Sequence, residues 1–401
     1  MDLICEIERC TGCSACINIC VKGAIEMRPD AWGFVYPIIN QDLCVDCELC
    51  REVCPINAPV FKNYPQKTYA VYSLDSEDRL TSTSGGAASA FANYVLSRRG
   101  VVYGCCGDDI YKVQHIRIDS IEDINRLKNS KYVQSEIANL YRLIKVDVIK
   151  NKNLTLFIGT PCQVAGLRTY LRRDYDNLIL VDLVCHGVPS QQLLADGLAK
   201  YENEYSFDKV LFRKKDLIKK SHSYGLFLFQ GNEEISSQLY PQDNYVTGFI
   251  TGLFYRDSCY SCQFACPERC SDITLGDFWG LGAYGETAIN ENLGVSEVLL
   301  NTEKGMRFFN DSKGCLFIEE RKTEEAISGN GQLMRPSVRH KNNKLFRKLY
   351  IENGFEKACN ICLKRTRVLY KFRSLKPAVK RILFSIPFIK AIYYKKKNLK
   401  K

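Results

Sequence analysis

The sequence predicts a chain of mixed α+β and α/β class: a small cysteine-rich domain, then an α/β domain, then a basic tail. Three observations carry this prediction. Nine of the 20 cysteines fall within the first 54 of 401 residues, in two matching strings. Apolar runs of strand length recur between Val101 and Val184, and the later two each end at a loop with Gly or Cys and lead into a helix pattern. From Leu363 to Lys401 there are fourteen Lys or Arg and no acid.

Taken in order, residues 1–62 form the first unit, turn-rich and closed by a Pro55–Pro65 linker. Residues 68–150 begin the second. Tyr69–Ser73 reads as a strand, and Ser84-Gly85-Gly86 leads into an Ala-rich helix over Ala87–Leu96. Val101–Cys105 reads as a strand and Glu136–Val148 as an amphipathic helix. Residues 151–325 continue it. Leu154–Ile158 is a continuous apolar run, the mark of a buried strand, and ends at Gly159-Thr160-Pro161-Cys162. A helix over Val164–Leu171 follows. Leu178–Val184 repeats the pattern and ends at Cys185-His186-Gly187, with Ser190 capping a helix to about Tyr201. Two strand–loop–helix units in succession predict parallel strands. Shorter strands follow near Lys209–Phe212 and Leu226–Phe229. A second cysteine-rich loop spans 259–270.

Composition excludes several classes. Apolar residues at 46% and charged residues at 25% rule out wholesale disorder. The net charge is +11, but outside 363–401 there are 42 basic and 45 acidic residues, so no nucleic-acid partner is expected. No window holds 18 uncharged apolar residues, which predicts no transmembrane helix. The first 20 residues carry acids and cysteines where a secretory signal needs an apolar run. A reducing, cytoplasmic compartment follows, in which clustered thiols read as metal ligands. In the tail (363–401), Val368, Leu369, Phe372, Leu375, Val379 and Ile382 alternate with cations, interrupted by Pro377 and Pro387. This segment suits peripheral contact with an anionic membrane surface, and equally a solvated tail.

Cys10, Cys13, Cys16 and Cys20 follow the spacing C-x2-C-x2-C-x3-C, and Cys44, Cys47, Cys50 and Cys54 repeat it before Pro55. Three thiolates at i, i+3 and i+6 grip three corners of an iron–sulfur cube, and the fourth ligand crosses from the other string. One cluster should therefore use Cys10, Cys13, Cys16 and Cys54, the other Cys44, Cys47, Cys50 and Cys20. Zinc, the rival metal, prefers paired knuckles. Residues 1–60 resemble bacterial two-cluster [4Fe–4S] ferredoxins, departing from them at Val21, where proline is usual. Cys5 lies outside both strings and reads as a small buried hydrophobe.

Further strings occur in order: Ser84-Gly85-Gly86-Ala87-Ala88, Ser130-Lys131-Tyr132-Val133-Gln134-Ser135, Gly159-Thr160-Pro161-Cys162-Gln163, Cys185-His186-Gly187, and Cys259-x2-Cys262 followed by Ser271 to Gly280. Each alone is weak; together they resemble the beta-subunit family of deazaflavin-coenzyme hydrogenases and dehydrogenases over roughly residues 68–320. The resemblance implies FAD and one further [4Fe–4S] cluster, three clusters in all. Cys162 and Cys185 sit just past the ends of two predicted parallel strands, where open α/β sheets bind ligands. With Cys259 and Cys262 they make a four-thiol site. Cys266 and Cys270 offer a rival local set with the first two loop cysteines. Cys359 and Cys362 form a CxxC without a partner pair.

In the family context Ser84, Gly85 and Gly86 are assigned to the FAD pyrophosphate, since glycines admit backbone approach and a helix N-terminus favours negative charge. A plain tight turn would explain them alone. Ser130, Lys131 and Tyr132, with Gly159, Thr160, Pro161, Gln163 and Asp277, complete the expected flavin contacts. Lys131 would place positive charge near the flavin. His186 would relay a proton or serve as a structural hydrogen-bonding group. The expected function is an iron–sulfur flavoprotein oxidoreductase. A low-potential donor would feed the clusters, and a small organic substrate would receive the electrons, in surface-polysaccharide synthesis for some bacterial members. An electron-transfer subunit serving a partner enzyme, and a protein with purely structural clusters, are the alternatives.

Overall fold

The computed structural model describes residues 3–216 and 221–374. The tail positions from Leu375 onward, including Pro377 and Pro387, lie outside the described residues. The N-terminal unit pairs β1 (Ile25–Pro29) with β2 (Val35–Ile39) as a hairpin. Two short helices, Ala15–Ile19 and Leu49–Glu52, each hold the third cysteine of one string, Cys16 and Cys50. Each starts from a left-handed residue, Ser14 (φ 64°) and Glu48 (φ 58°), so the chain reverses sharply between successive thiols.

The second unit adds β3 (Lys67–Ser73), β4 (Val101–Cys106), β5 (Gln114–Ile118), β6 (Thr155–Gly159) and β7 (Leu178–Leu183). Next come β8 (Lys209–Asp216), β9 (Ser221–Gln230) and β10 (Glu233–Leu239), then β11 (Ile273–Asp277), β12 (Ser296–Leu300) and β13 (Leu316–Arg321). Strands β8 to β10 form a separate antiparallel sheet. The other eight form one sheet in the order β13-β3-β12-β11-β7-β6-β4-β5. Its centre, β11-β7-β6-β4, is parallel, as the repeated strand–loop–helix pattern predicts. Both flanks are antiparallel.

The central strands are buried on both faces. Tyr103, Phe157 and Leu180 meet the Leu140–Lys145 and Pro161–Leu171 helices. Val102, Leu156 and Val181 meet the Ala87–Ser97 and Glu303–Ser312 helices. Each such side chain contributes about 1.5–3 kcal/mol, which makes this sheet the rigid frame of the molecule.

Two elements depart from expectation. The helix expected at Glu136 starts at Leu140. Glu136 instead donates to the Val113 carbonyl at 3.0 Å and accepts from the His115 amide at 2.8 Å, a bridge to β5 that holds the chain extended. The composition shift at Leu363 falls inside one helix, Phe355–Ser374. Leu363, Cys359 and Cys362 are buried there with Phe355 and Phe346. The CxxC pair thus packs as apolar core. No helix among the described residues is long and apolar enough to cross a membrane.

Candidate functional site

Cys10, Cys13, Cys16 and Cys54 line one small cavity of about 20 Å³. This is the crosswise set, three thiols from the first string and one from the second, each at most 8% exposed. Cys5 lines the same cavity, and its thiol hydrogen-bonds with Cys10 and Cys54. The other set lies nearer the surface. Cys47 is exposed, Cys20 and Cys44 are half-buried, and Cys50 is buried within reach of the charges of Cys20 and Cys47.

Two arginines, the buried Arg256 and the exposed Arg142, fasten this unit to the α/β domain. Arg256, 1% exposed, donates to the Cys10 carbonyl (3.2 Å), the Val35 carbonyl (2.8 Å) and Gln134 Oε1 (2.9 Å). Arg142 donates to the carbonyls of Ile17, Asn18 and Cys20, all at 2.8 Å. The Pro161–Leu171 helix packs directly on the inner thiols: a Cβ at Gly166 would come within 2.9 Å of Cys13 Sγ.

Cys162 is the second residue of that helix. Cys185 follows β7, and Cys259 and Cys262 sit on and just after the Asp257–Ser261 turn. The structure brings these four thiols together. Burial raises the Cys162 thiol to about 11 and the Cys185 thiol to about 12, and the neighbouring thiols reinforce both. Cys259 interacts with Cys185, Cys262 and Cys162. Gly187 (φ +117°) makes the approach feasible, since a Cβ there would lie 3.1 Å from that of Cys259. The two rival thiols lie beside this set, Cys266 within reach of Cys262, and have hydrogen-bond partners of their own. Cys266 bonds to the Glu268 carbonyl at 3.2 Å and meets Lys62 Nζ at 3.4 Å, and Cys270 donates to the Pro161 carbonyl. The inner and third sets are neighbours, for Cys13 interacts with Cys162 and Tyr141 with both. Among the described residues no three His, Cys, Asp or Glu side chains meet closely enough for a lone ion. Thiol-only donor sets of this kind suit iron–sulfur clusters.

A cavity of about 320 Å³ opens at the carboxyl edge of the parallel strands. Cys105 of β4, Gly159 of β6, Leu183 of β7 and Asp277 of β11 all line it. Cys185 belongs both to this lining and to the third thiol set. Ser84, Gly86, Ser130, Lys131, Tyr132, Thr160, Gln163 and His186 also line the cavity. Gly85 and Pro161 do not. Gly85 is wedged between strands, where a Cβ would lie 2.3 Å from the Val71 carbonyl, and Pro161 is buried as the first residue of its helix.

Several side chains are already committed. Lys131 Nζ donates to the carbonyls of Cys105 (2.9 Å), Leu127 (3.1 Å) and Lys128 (2.6 Å), so its charge sits behind the cavity wall; burial lowers its pKa. Asp277 is held by Arg213 at 2.5 and 3.2 Å. Burial lowers the His186 pKa, against the pull of Asp277.

His115 belongs to none of the sequence strings. Its Nε2 lies 3.0 Å from the Ile158 carbonyl and its Nδ1 2.8 Å from Ser135 Oγ. A carbonyl only accepts, so Nε2 carries the proton and Nδ1 accepts from Ser135. Burial holds its pKa down at about 4. Gln163 Nε2 donates to Ser135 Oγ at 3.1 Å, and its Oε1 accepts the Thr160 amide at 2.9 Å. Ser135 and Gln163 stood in sequence strings; a lone histidine on a strand gave no signal.

Residues 153–326 match the family described as the C terminus of the coenzyme F420 hydrogenase/dehydrogenase beta subunit, and residues 9–58 match the 4Fe-4S dicluster domain. The chain thus carries a domain matching the C terminus of this beta-subunit family, joined to a 4Fe-4S dicluster domain. It is 19% identical over 315 residues to a protein of Methanosarcina mazei named as a subunit of F(420)H(2) dehydrogenase, covering 75% of this chain and 81% of that protein. It is 27% identical over 165 residues to the coenzyme F420-dependent sulfite reductase of Methanocaldococcus jannaschii, covering 40% of this chain and 24% of that protein. A chain of the F420-reducing [NiFe] hydrogenase complex from Methanosarcina barkeri aligns at a TM-score of 0.45 and 17% identity, over 74% of this chain and 90% of that one. This F420 beta-subunit homologue is thus an iron–sulfur electron-transfer protein whose dicluster domain binds [4Fe–4S] clusters.

Proposed function

We propose that this chain is an iron–sulfur flavoprotein oxidoreductase that carries electrons from a low-potential donor to a small organic molecule at the 320 Å³ cavity. The observation that supports it is the order of the sites. The Cys20, Cys44, Cys47 and Cys50 set reaches the surface. The Cys10, Cys13, Cys16 and Cys54 set lies inward, against the helix whose first turn carries Cys162. Cys185 belongs to the third thiol set and to the cavity wall. Bound clusters exchange single electrons, and a bound flavin exchanges one or two, which suits one-electron entry and two-electron exit. The His115–Ser135–Gln163 chain fixes a neutral donor–acceptor line along the wall. Two relatives carry coenzyme F420 in their names, which makes a deazaflavin the first candidate for the exchanging molecule. One is named as a subunit, which favours a partner enzyme as a second reading.

The test is flavin bleaching. The anaerobically reconstituted chain is mixed with a low-potential one-electron donor, and flavin absorbance is followed. Rapid bleaching is expected, slowed strongly in Cys13→Ser/Cys47→Ser. A chain that retains no flavin, or bleaching indifferent to both substitutions, would overturn this reading.

A further inference from the structure

Arg256 is a buried charge tied to two of the thiol sets. Only 1% of the residue is exposed. Its Nη1 donates to the Cys10 carbonyl at 3.2 Å, its Nη2 to the Val35 carbonyl at 2.8 Å and its Nε to Gln134 Oε1 at 2.9 Å. All three acceptors are uncharged. The rings of Tyr36 and Phe34 lie 4.6 and 5.3 Å from the guanidinium. Asp257, the carboxylate next in sequence, is taken by Arg339 and Arg347, each at 2.7 Å.

A buried cation whose hydrogen-bond partners are all neutral is expensive to hold without a counter-charge nearby. The groups around this one are thiols. The guanidinium holds Cys10 by its carbonyl and presses on Gly12, where a Cβ would lie 2.9 Å from Nη2. Cys10 and Gly12 both line the inner thiol cavity. The same residue is tied to the third set through its backbone. The Cys259 amide donates to the Arg256 carbonyl at 3.0 Å, and the Arg256 amide donates to the carbonyl of Val188, three residues after Cys185, at 3.0 Å. Its charge reaches the thiols of both sets. The Cys5 hydrogen bond chiefly lowers the Cys10 thiol, and Arg256 lowers it further; burial raises the Cys162 thiol, and Arg256 acts against that rise.

We infer that Arg256 is the shared counter-charge of the inner and third thiol sets, and that its guanidinium raises the reduction potentials of the clusters bound there and so draws electrons inward from the surface set. Reduction adds one negative charge to a four-thiolate cluster, and a fixed cation nearby favours that form. Each transfer moves one electron: the outer cluster is oxidised, the inner one reduced, and the low-potential donor replaces the electron at the surface. The outer set meets a different arginine, Arg142, at the Cys20 carbonyl, and Arg142 is exposed, where water weakens its charge. The inference rests on the proposed order of three clusters and gives that order a direction.

The experiment is a potentiometric titration of the full reconstituted chain, read by electron paramagnetic resonance. Signals are assigned to the outer, inner and third clusters by their loss in Cys47→Ser, Cys13→Ser and Cys185→Ser. Arg256→Gln removes the charge, and Arg256→Lys keeps it without the forked donor. In Arg256→Gln the inner and third midpoints should fall by at least a tenfold change in the reduction equilibrium, about 59 mV for one electron, with the outer midpoint unmoved. In Arg256→Lys all three should stay near the parent values. Gln134→Glu sets a carboxylate against the guanidinium and leaves the arginine in place; it should lower the same two midpoints, and it decides the matter if Arg256→Gln loses its iron. Equal shifts in Arg256→Gln and Arg256→Lys would show that contacts act rather than charge, and parental midpoints in Gln134→Glu would equally overturn the inference. A missing third signal, with the inner midpoint still dependent on Arg256, would instead sink the three-cluster reading and leave this role standing.

Discussion

His115 shows how one buried side chain can make the whole fold sensitive to acid. It is held neutral by burial, between a carbonyl that takes its proton and a hydroxyl that donates to it. Its pKa in the folded chain, about 4, lies below its ordinary 6.5. The unfolded chain therefore takes up the proton first as pH falls. The stability it contributes is complete above about pH 6.5 and is lost progressively toward pH 4, on the order of 3 kcal/mol in all. Denaturant midpoints measured from pH 7 to 5 should fall in the parent chain and fall clearly less in His115→Gln. Parallel slopes would refute this account. Lys131 is the contrasting residue. Its sequence string suggested a charge offered to a ligand, yet three carbonyls hold it, so Lys131→Met is expected to damage local folding before it alters binding, as a raised protease sensitivity of residues 127–135 would show.

Among the elements, the Phe355–Ser374 helix and the Arg256 contacts are the most informative. Leu363 is fully buried in that helix and Ile361 is 47% exposed. Leu363→Ala should cost about 2–5 kcal/mol, whereas Ile361→Ala should stay within about 0.5 kcal/mol, both read from urea midpoints. Equal costs would mean that this helix is not core. Arg256 joins three elements at once, and a methionine there leaves two carbonyls and an amide oxygen without their donor. Each unpaired buried acceptor costs about 1–3 kcal/mol. Arg256→Met should therefore loosen residues 1–62 from the α/β domain, which limited proteolysis would detect as release of that unit. A chain cut no faster than the parent would show that Arg142 and the Gly166 contact suffice.

For the molecule as a whole, three thiol sets imply three clusters, or about twelve iron atoms per chain. Cys162→Ser and Cys185→Ser should each reduce this to about eight, with Cys266→Ser unchanged. The orientation of Cys266 toward Glu268 and Lys62 motivates the last expectation. Iron and acid-labile sulfide assays decide it: full iron in Cys185→Ser, or a cluster lost in Cys266→Ser, would return the site to the local cysteine loop.

Spacing alone pointed to the two crosswise thiol sets, because ligands three residues apart in a tight loop are a local property; the structure seats Cys10, Cys13, Cys16 and Cys54 around one small cavity. Strand and helix identity in the central α/β unit was equally legible, since continuous apolar runs of five or six residues between helix patterns leave few other parallel arrangements. The antiparallel flanks were not legible, because chain reversal depends on which edge remains free once the centre has formed. The late start of the helix at Leu140 has the same origin: residues 136–139 have helical character locally, but β5 offers their backbone better partners. The cavity wall was visible where residues belonged to strings, as at Ser84, Thr160 and Cys185. It was invisible at His115, an ordinary residue in sequence. Burial and its neighbours Ser135 and Ile158 give it its chemistry, and only the tertiary structure supplies those.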